Sequence, residues 1–250
     1  MTEQPTIILV HGAWHGSWCW DEVASKLRDA GLKVIAVDLP GHNKPGNSRR
    51  NWKRMGDYVA HVRGVVQRVE GEVVLVGHSM GGLVTQIVLE DEQVQHGILV
   101  ASIPRKGVGG ALARLVKFDA PQVIEAAKSL SLWPMVATDE RVKHHFFKEG
   151  VSDEVVTAAG AKMQNESIVA FAAMIARWPR PKDVKSPITV VAATHDTIFT
   201  PAEQADLAEA YGVPLIEIYC GHDIMLEPQH GELVDIIIER AGPLRAVGAG

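Results

Sequence analysis

The sequence predicts an α/β protein: a mostly parallel central sheet with helices on both faces and one helical insertion. Short apolar, β-branched runs alternate with longer stretches of helical period, the pattern of successive strand–helix–strand units. That alternation stops between about residues 103 and 185, where only helical pieces can be read. A chain of 250 residues with 46% hydrophobic content can bury one large core, with room for an insertion. The expected organisation is a core domain from 1–102 and 186–250, with 103–185 as a helical cap, or lid, over one edge of the sheet.

Thr6-Ile7-Ile8-Leu9-Val10 is β-rich and opens the core as a strand, and it runs into the glycine-bearing turn His11-Gly12-Ala13-Trp14-His15-Gly16. A helix is expected over 18–30, then a strand over 33–37 leading to Asp38-Leu39-Pro40-Gly41-His42. Residues 55–69 read as the next helix, 72–76 as a buried strand and 81–89 as a helix, with a further strand over 97–101. The insertion reads as helices over 111–118, 121–130, 139–147, 153–161 and 167–178. Its apolar residues include Leu112, Leu115, Phe118, Leu130, Leu132, Trp133, Phe146, Phe147, Met163, Phe171, Met174 and Trp178. Most of these are expected to hold the insertion together, and a few to line an apolar pocket beneath it. The alternation then resumes with strands over 187–193 and 214–219 and helices over 201–211 and 231–240. The Gly- and Ala-rich end, 241–250, is expected to fray.

The chemistry concentrates in Gly77-His78-Ser79-Met80-Gly81-Gly82, between a strand and a helix. A serine between glycines at such a turn fits a nucleophile elbow, in which a strained backbone projects the hydroxyl above the sheet edge. A serine hydroxyl is a weak nucleophile at neutral pH and needs a base, which needs an orienting acid. Asp196 follows the strand over 187–193, and His222 follows the strand over 214–219. In a parallel sheet the strand C-termini share one edge, so Ser79, Asp196 and His222 can converge there. Backbone amides of Ala13, after the first strand, and of Met80, after the serine, are candidates to hold an oxyanion.

These four motifs, in this order, resemble the α/β-hydrolase superfamily from end to end, so the fold implied is the α/β-hydrolase fold. Residues 11–20, HGAWHGSWCW, are similar to the signature of the esterase and hydroxynitrile-lyase group, which includes plant methylesterases and small bacterial relatives. Gly221-His222-Asp223-Ile224-Met225-Leu226-Glu227-Pro228 also resembles that group's histidine segment. The resemblance implies Ser79 as nucleophile, His222 as base, Asp196 as acid, and the Ala13 and Met80 amides as oxyanion hole. Lyases of the group carry lysine directly after the histidine, where this chain has Asp223, which is expected to repel leaving cyanide. They also carry threonine where this chain has Gly12. Haloalkane dehalogenases and epoxide hydrolases use aspartate at the elbow, so Ser79 argues against both. The expected activity is hydrolysis of a small, largely apolar carboxylic ester through an acyl-enzyme on Ser79. Its partners are the ester and water, with no metal or organic cofactor. A lactonase, thioesterase or carbon–carbon bond hydrolase would use the same residues; a lyase or a slow-turnover ligand receptor is a more distant reading.

Other features point to structure. A net charge of −5 offers no basic field for nucleic acid. Cys19 and Cys220 make no disulfide framework and read as small buried hydrophobes. Met1-Thr2-Glu3-Gln4-Pro5 lacks the basic segment of a signal peptide, and no apolar stretch reaches the ~18 residues of a membrane span, so a cytoplasmic location is expected. A homodimer is compatible with the sequence. His144-His145 and Glu90-Asp91-Glu92 read as solvent-exposed, and Arg49-Arg50-Asn51-Trp52-Lys53-Arg54 as a solvated loop. His11 and His78 read as local structural hydrogen-bonders, and His195, after the acid's strand, as a bystander.

Overall fold

The computed structural model describes residues 4–176 and 179–242. The first three residues, the end of the helix expected over 167–178 and most of the segment expected to fray (243–250) lie outside the described residues. Six strands form one sheet: β1 (Thr6–Val10), β2 (Lys33–Val37), β3 (Val73–His78), β4 (His96–Val100), β5 (Ile188–Ala193) and β6 (Leu215–Ile218). Their order is β2-β1-β3-β4-β5-β6 and every neighbouring pair is parallel. β1 and β3 are buried at every position, which explains their unbroken apolar runs.

Right-handed crossovers between parallel strands decide which face each helix covers. α1 (Asp21–Asp29) and α9 (His230–Ala241) pack against each other on one face. α2 (Met55–Arg68), α3 (Met80–Leu89) and α8 (Pro201–Tyr211) cover the other. α3 is buried on all sides, as its sequence MGGLVTQIVL requires. Its one amide-bearing residue, Gln86, donates to Ser102 Oγ (3.0 Å) and Ile103 O (3.2 Å) and accepts from Tyr211 Oη (3.0 Å).

From β1 the chain first moves outward to β2, then returns past β1 to β3 and continues the other way. The loops leaving β1 and β3 therefore flank a topological switch point, where a crevice opens at the strand C-termini.

Among the described residues between β4 and β5 lie four α-helices: α4 (Gly109–Ser129), α5 (Asp139–Phe146), α6 (Asp153–Lys162) and α7 (Ile168–Ala176). The two helices read over 111–118 and 121–130 form one kinked run, broken at Asp119 (φ −141°, ψ 51°) just before Pro121. A buried polar strap, Gln164-Asn165-Glu166-Ser167, ties this insertion to the loop after β2. Gln164 Nε2 donates to His42 O (2.8 Å), and Asn165 N donates to Asn47 O (2.9 Å). Glu166 accepts from Tyr58 Oη (2.8 Å), Ser167 N (2.6 Å) and His42 Nε2 (3.1 Å). Ser167 Oγ donates to Lys53 O (2.6 Å).

Two expectations of exposure fail. Glu90 is not solvated: Arg180, from the segment before β5, grips its carboxylate at 2.6 Å, and the Glu90 side chain is 1% exposed. His145 is buried, and His144 stacks on Phe118 of α4. The reason is that α5 turns the last residues of its helix toward α4 and the sheet edge. Cys19 and Cys220 are free and buried, as read, and no helix among the described residues is long and apolar enough to cross a membrane.

Glu166→Ala is expected to strand the Tyr58 and His42 donors in the interior and to cost at least about 2 kcal/mol of stability, with Glu166→Gln costing less; urea denaturation followed by circular dichroism measures both.

Candidate active site

Ser79 sits between the last residue of β3 and the first of α3 with φ 53° and ψ −118°, a conformation that side-chain-bearing residues avoid. Four backbone hydrogen bonds hold it: its N–H donates to Val100 O (3.0 Å), and its carbonyl accepts from Gly82 N (3.0 Å), Leu83 N (3.3 Å) and Ile103 N (3.3 Å). The turn closes only because its flanking positions lack side chains. A Cβ on Gly81 would strike the Val10 and His11 carbonyls, and one on Gly77 would strike Gly81 and Thr85. The Ser79 side chain makes no cap to its own helix, so its hydroxyl is not spent there.

β5 and β6 supply a second pair. His222 Nδ1 donates to Asp196 Oδ2 at 2.7 Å, and both side chains are buried. The other Asp196 oxygen accepts from the amides of Ile198 (2.7 Å) and Phe199 (2.8 Å), which fix the carboxylate. Just beyond, Thr200 and Glu203 form a capping box with Pro201 in the first turn, so α8 begins rigidly behind the acid. With its proton on Nδ1, the neutral His222 ring keeps a lone pair on Nε2. His195 lies on the exposed side, its Nδ1 2.9 Å from Thr194 Oγ1.

The loop after β1 is held by its histidines. His11 Nδ1 donates to Gly12 O (2.8 Å) while its Nε2 accepts from Leu39 N (3.1 Å). One donor and one acceptor make it a neutral ring, and burial pushes its pKa well below the usual value. Gly12 O belongs to the peptide that carries the Ala13 N–H, so His11 sets the plane of that amide. His15 differs: Nδ1 faces Ala13 O at 2.7 Å and Nε2 faces Asp223 Oδ2 at 2.9 Å. Two acceptors require two N–H groups, so the ring is an imidazolium. Burial opposes that charge, but the Asp223 carboxylate outweighs it and raises the pKa. Trp14, between them, adopts a left-handed backbone (φ 63°) that the insertion secures: its carbonyl accepts from Gln164 N (2.7 Å) and its Nε1 donates to Leu132 O (3.2 Å).

His78 makes a long-range bond: Nε2 donates to His222 O at 3.1 Å. Burial and the nearby His222 lower its pKa well below the usual value, so it is neutral. Asp223 is fully buried and does not line the cavity; His15 compensates its charge. The expected repulsion of an anion by Asp223 therefore has no basis. At Gly12 there is no room for a side chain, because a Cβ there would lie 2.9 Å from His78 Nδ1 and 3.0 Å from Ser79 Cβ.

Ala13, Ser79, Met80 and His222 line one cavity, roofed by Leu112, Leu115, Phe118, Phe146, Phe171 and Met174 of the insertion. Met80 is the first residue of α3, where an N–H has no partner within the helix. The cavity has a volume of about 80 Å³, and its few polar wall groups include His144 and His145. Burial and His144 push the pKa of His145 down to about 4, so at neutral pH it adds no charge. The roles of His15, Asp223 and the Glu166 strap were not read from the sequence, although His15 and Asp223 stand within the two segments that carried the resemblance.

A serine on a left-handed strand–helix turn shares one cavity with a buried histidine–carboxylate pair at the C-terminal edge of a parallel sheet. The chain belongs to the alpha/beta hydrolase family, whose model matches residues 7–236. It is similar to a carbendazim-hydrolysing esterase of Nocardioides sp. (strain SG-4G), 28% identical over 96% of this chain and 98% of that one. It is similar to methyl jasmonate esterase 1 of Vitis vinifera over a shorter stretch, 40% identical across 33% of each chain. Among solved structures, the enol-lactonase from Burkholderia xenovorans LB400 superposes with a TM-score of 0.73 at 18% identity, over 96% of this chain and 92% of that one.

Gly12→Ala is expected to push His78 and Ser79 apart and to destabilise the protein by about 1–3 kcal/mol; thermal denaturation reads the loss directly.

Proposed function

We propose that this protein is a serine esterase that cleaves small, largely apolar carboxylic esters, with residues 103–185 serving as the cap that shapes the acyl or alcohol site. The observation that carries the reading is the joint placement of a strained Ser79 and an Asp196-oriented His222 on one apolar cavity. The likeness to esterases over the whole chain or part of it supports it.

In this mechanism Ser79 Oγ attacks the ester carbonyl as His222 Nε2 takes its proton. The carbonyl oxygen becomes an oxyanion, held by the Ala13 and Met80 amides and by the positive end of α3. Asp196 keeps the ring in the Nδ1–H tautomer and stabilises the imidazolium. His222 then hands its proton to the leaving alcohol, which departs and leaves an acyl group on Ser79. Water, deprotonated by His222, attacks that acyl group and releases the acid, and the proton returns to Ser79. The largely apolar cavity favours compact substrates without charge, since the cationic groups on its wall, Arg114 and His15, are already paired with Glu203 and Asp223.

Hydrolysis of a p-nitrophenyl ester series by the wild type and by Ser79→Ala tests the reading. Turnover is expected with short acyl chains and should fall by roughly 10⁴-fold or more in the variant. Turnover that persists in Ser79→Ala, or a folded wild type inert toward the whole series, would sink it.

A further inference from the structure

Three loops must keep register for the proposed chemistry: the one after β1 with the Ala13 amide, the elbow with Ser79, and the one after β6 with His222. Each descends from a different strand, and only β1 and β3 are direct neighbours in the sheet. β6 lies three strands from β3, so the sheet alone leaves the base loop weakly coupled to the oxyanion loop.

His15 and Asp223 span that gap. Asp223 follows His222 directly, and its carboxylate is bonded to His15 Nε2 at 2.9 Å. The opposite ring nitrogen of His15 is bonded to Ala13 O at 2.7 Å. One rigid aromatic ring thus joins the backbone of the residue that offers the oxyanion amide to the residue after the base. His78, next to Ser79, braces the same segment through His222 O and stands 3.7 Å from the second Asp223 oxygen. Asp223 N donates to Phe146 O (2.9 Å), which anchors the segment to the insertion as well. The ring packs between Trp18, stacked at 5.3 Å, and Phe146, edge-on at 5.3 Å. Such a wall excludes water, and a buried pair in low dielectric holds its geometry more stiffly than an exposed one.

A pair of charges buried at this depth is a poor device for stability alone, because desolvation consumes most of the attraction. Its value lies in where it points. Both ends are fixed to backbone or to a residue adjoining the base, and both ring nitrogens are used. We propose that the His15–Asp223 ion pair is a positioning element that locks the oxyanion loop to the base loop, so that the Ala13 amide and His222 keep a fixed separation through the reaction.

This inference rests on the serine-esterase reading, and the experiment separates the two. Wild type and Ser79→Ala establish whether ester turnover exists and runs through the serine. On that background, His15→Asn keeps a donor near Ala13 O but is too short to reach Asp223, and Asp223→Asn keeps the shape but removes the charge. Each single variant is expected to lower kcat roughly tenfold or more, with KM within about threefold of wild type, because misplacing reacting groups by a fraction of an ångström acts on the transition state. Inhibition by phenylboronic acid, whose serine adduct mimics the oxyanion, should weaken by a similar factor. The double variant should be no worse than the poorer single, as expected for one shared link. Singles that melt like wild type yet retain full kcat and boronate affinity would overturn the proposal. So would losses confined to KM, or losses that simply multiply in the double variant. If a single variant does not fold, His15→Gln, whose amide can still donate to Asp223 but leaves Ala13 O without its partner and so breaks the link at that end, takes its place and is judged by the same criteria. A wild type with neither turnover nor boronate binding removes the esterase reading and the positioning role with it.

Discussion

The backbone at Ser79 is the constraint on which the rest of the molecule depends. A left-handed residue costs on the order of 1–3 kcal/mol and survives only where its surroundings leave no alternative. Here β4 receives its N–H, the first turn of α3 and the chain beyond β4 receive its carbonyl, and α3 is buried on every side. Relaxing the turn would lift α3 out of the interior or break the β3–β4 ladder, and both are far more costly than the strain. The same constraint explains the tight approach of the β1 loop. With no Cβ at Gly12 or Gly81, that backbone packs directly against the elbow, close enough for its amides to share a cavity with the hydroxyl.

Buried histidines carry the electrostatics of this edge, and each takes its state from its partners. His11 faces one donor and one acceptor and is neutral. His78 donates to a carbonyl with one nitrogen, its other nitrogen is buried without a hydrogen-bond partner, and it is neutral too. His15 faces two acceptors and is charged. His222 has one nitrogen committed to Asp196 and is left with one for chemistry. Four rings of the same residue type thus do four different things, and composition alone could not divide these roles among them. His15 and His222 each pair with a carboxylate and line the cavity, but His15 commits both ring nitrogens whereas His222 commits one.

The fold was legible in the sequence because its signals are local. An unbroken Ile-Ile-Leu-Val run can only be a strand buried on both faces, and a glycine-flanked serine after such a strand points to a turn. The chain order of Ser79, Asp196 and His222, each just past a strand, was enough to bring them to one edge. What the sequence hid is long-range pairing of polar groups. His15 and Asp223 are 208 residues apart, His42 and Glu166 are 124 apart, and Glu90 finds Arg180 across the insertion. Each looks solvated or idle by its neighbours in sequence, and only the tertiary fold shows that all but the exposed Arg180 have buried side chains and which group each is paired with. His145 was misread for the same cause: helical period places it on a face, but the kinked α4 decides whether that face meets water.

The insertion does more than roof a cavity. Its strap bonds to the loop after β2, and the same Gln164 that accepts from Lys44 N also holds the carbonyl of the left-handed Trp14 through its own backbone N–H. The indole of Trp14 then packs on Phe146 and Phe171, two residues of the roof. Apolar walls and the loop after β1 are therefore one packed unit. A substitution that reshapes the roof to admit a larger acyl group pulls on Trp14, and through it on the peptide next to the Ala13 amide. Widening the cavity and preserving the geometry at the carbonyl are opposed demands in this fold. In the proposed esterase, the size of substrate the cavity admits is therefore tied through Trp14 to the placement of the Ala13 amide.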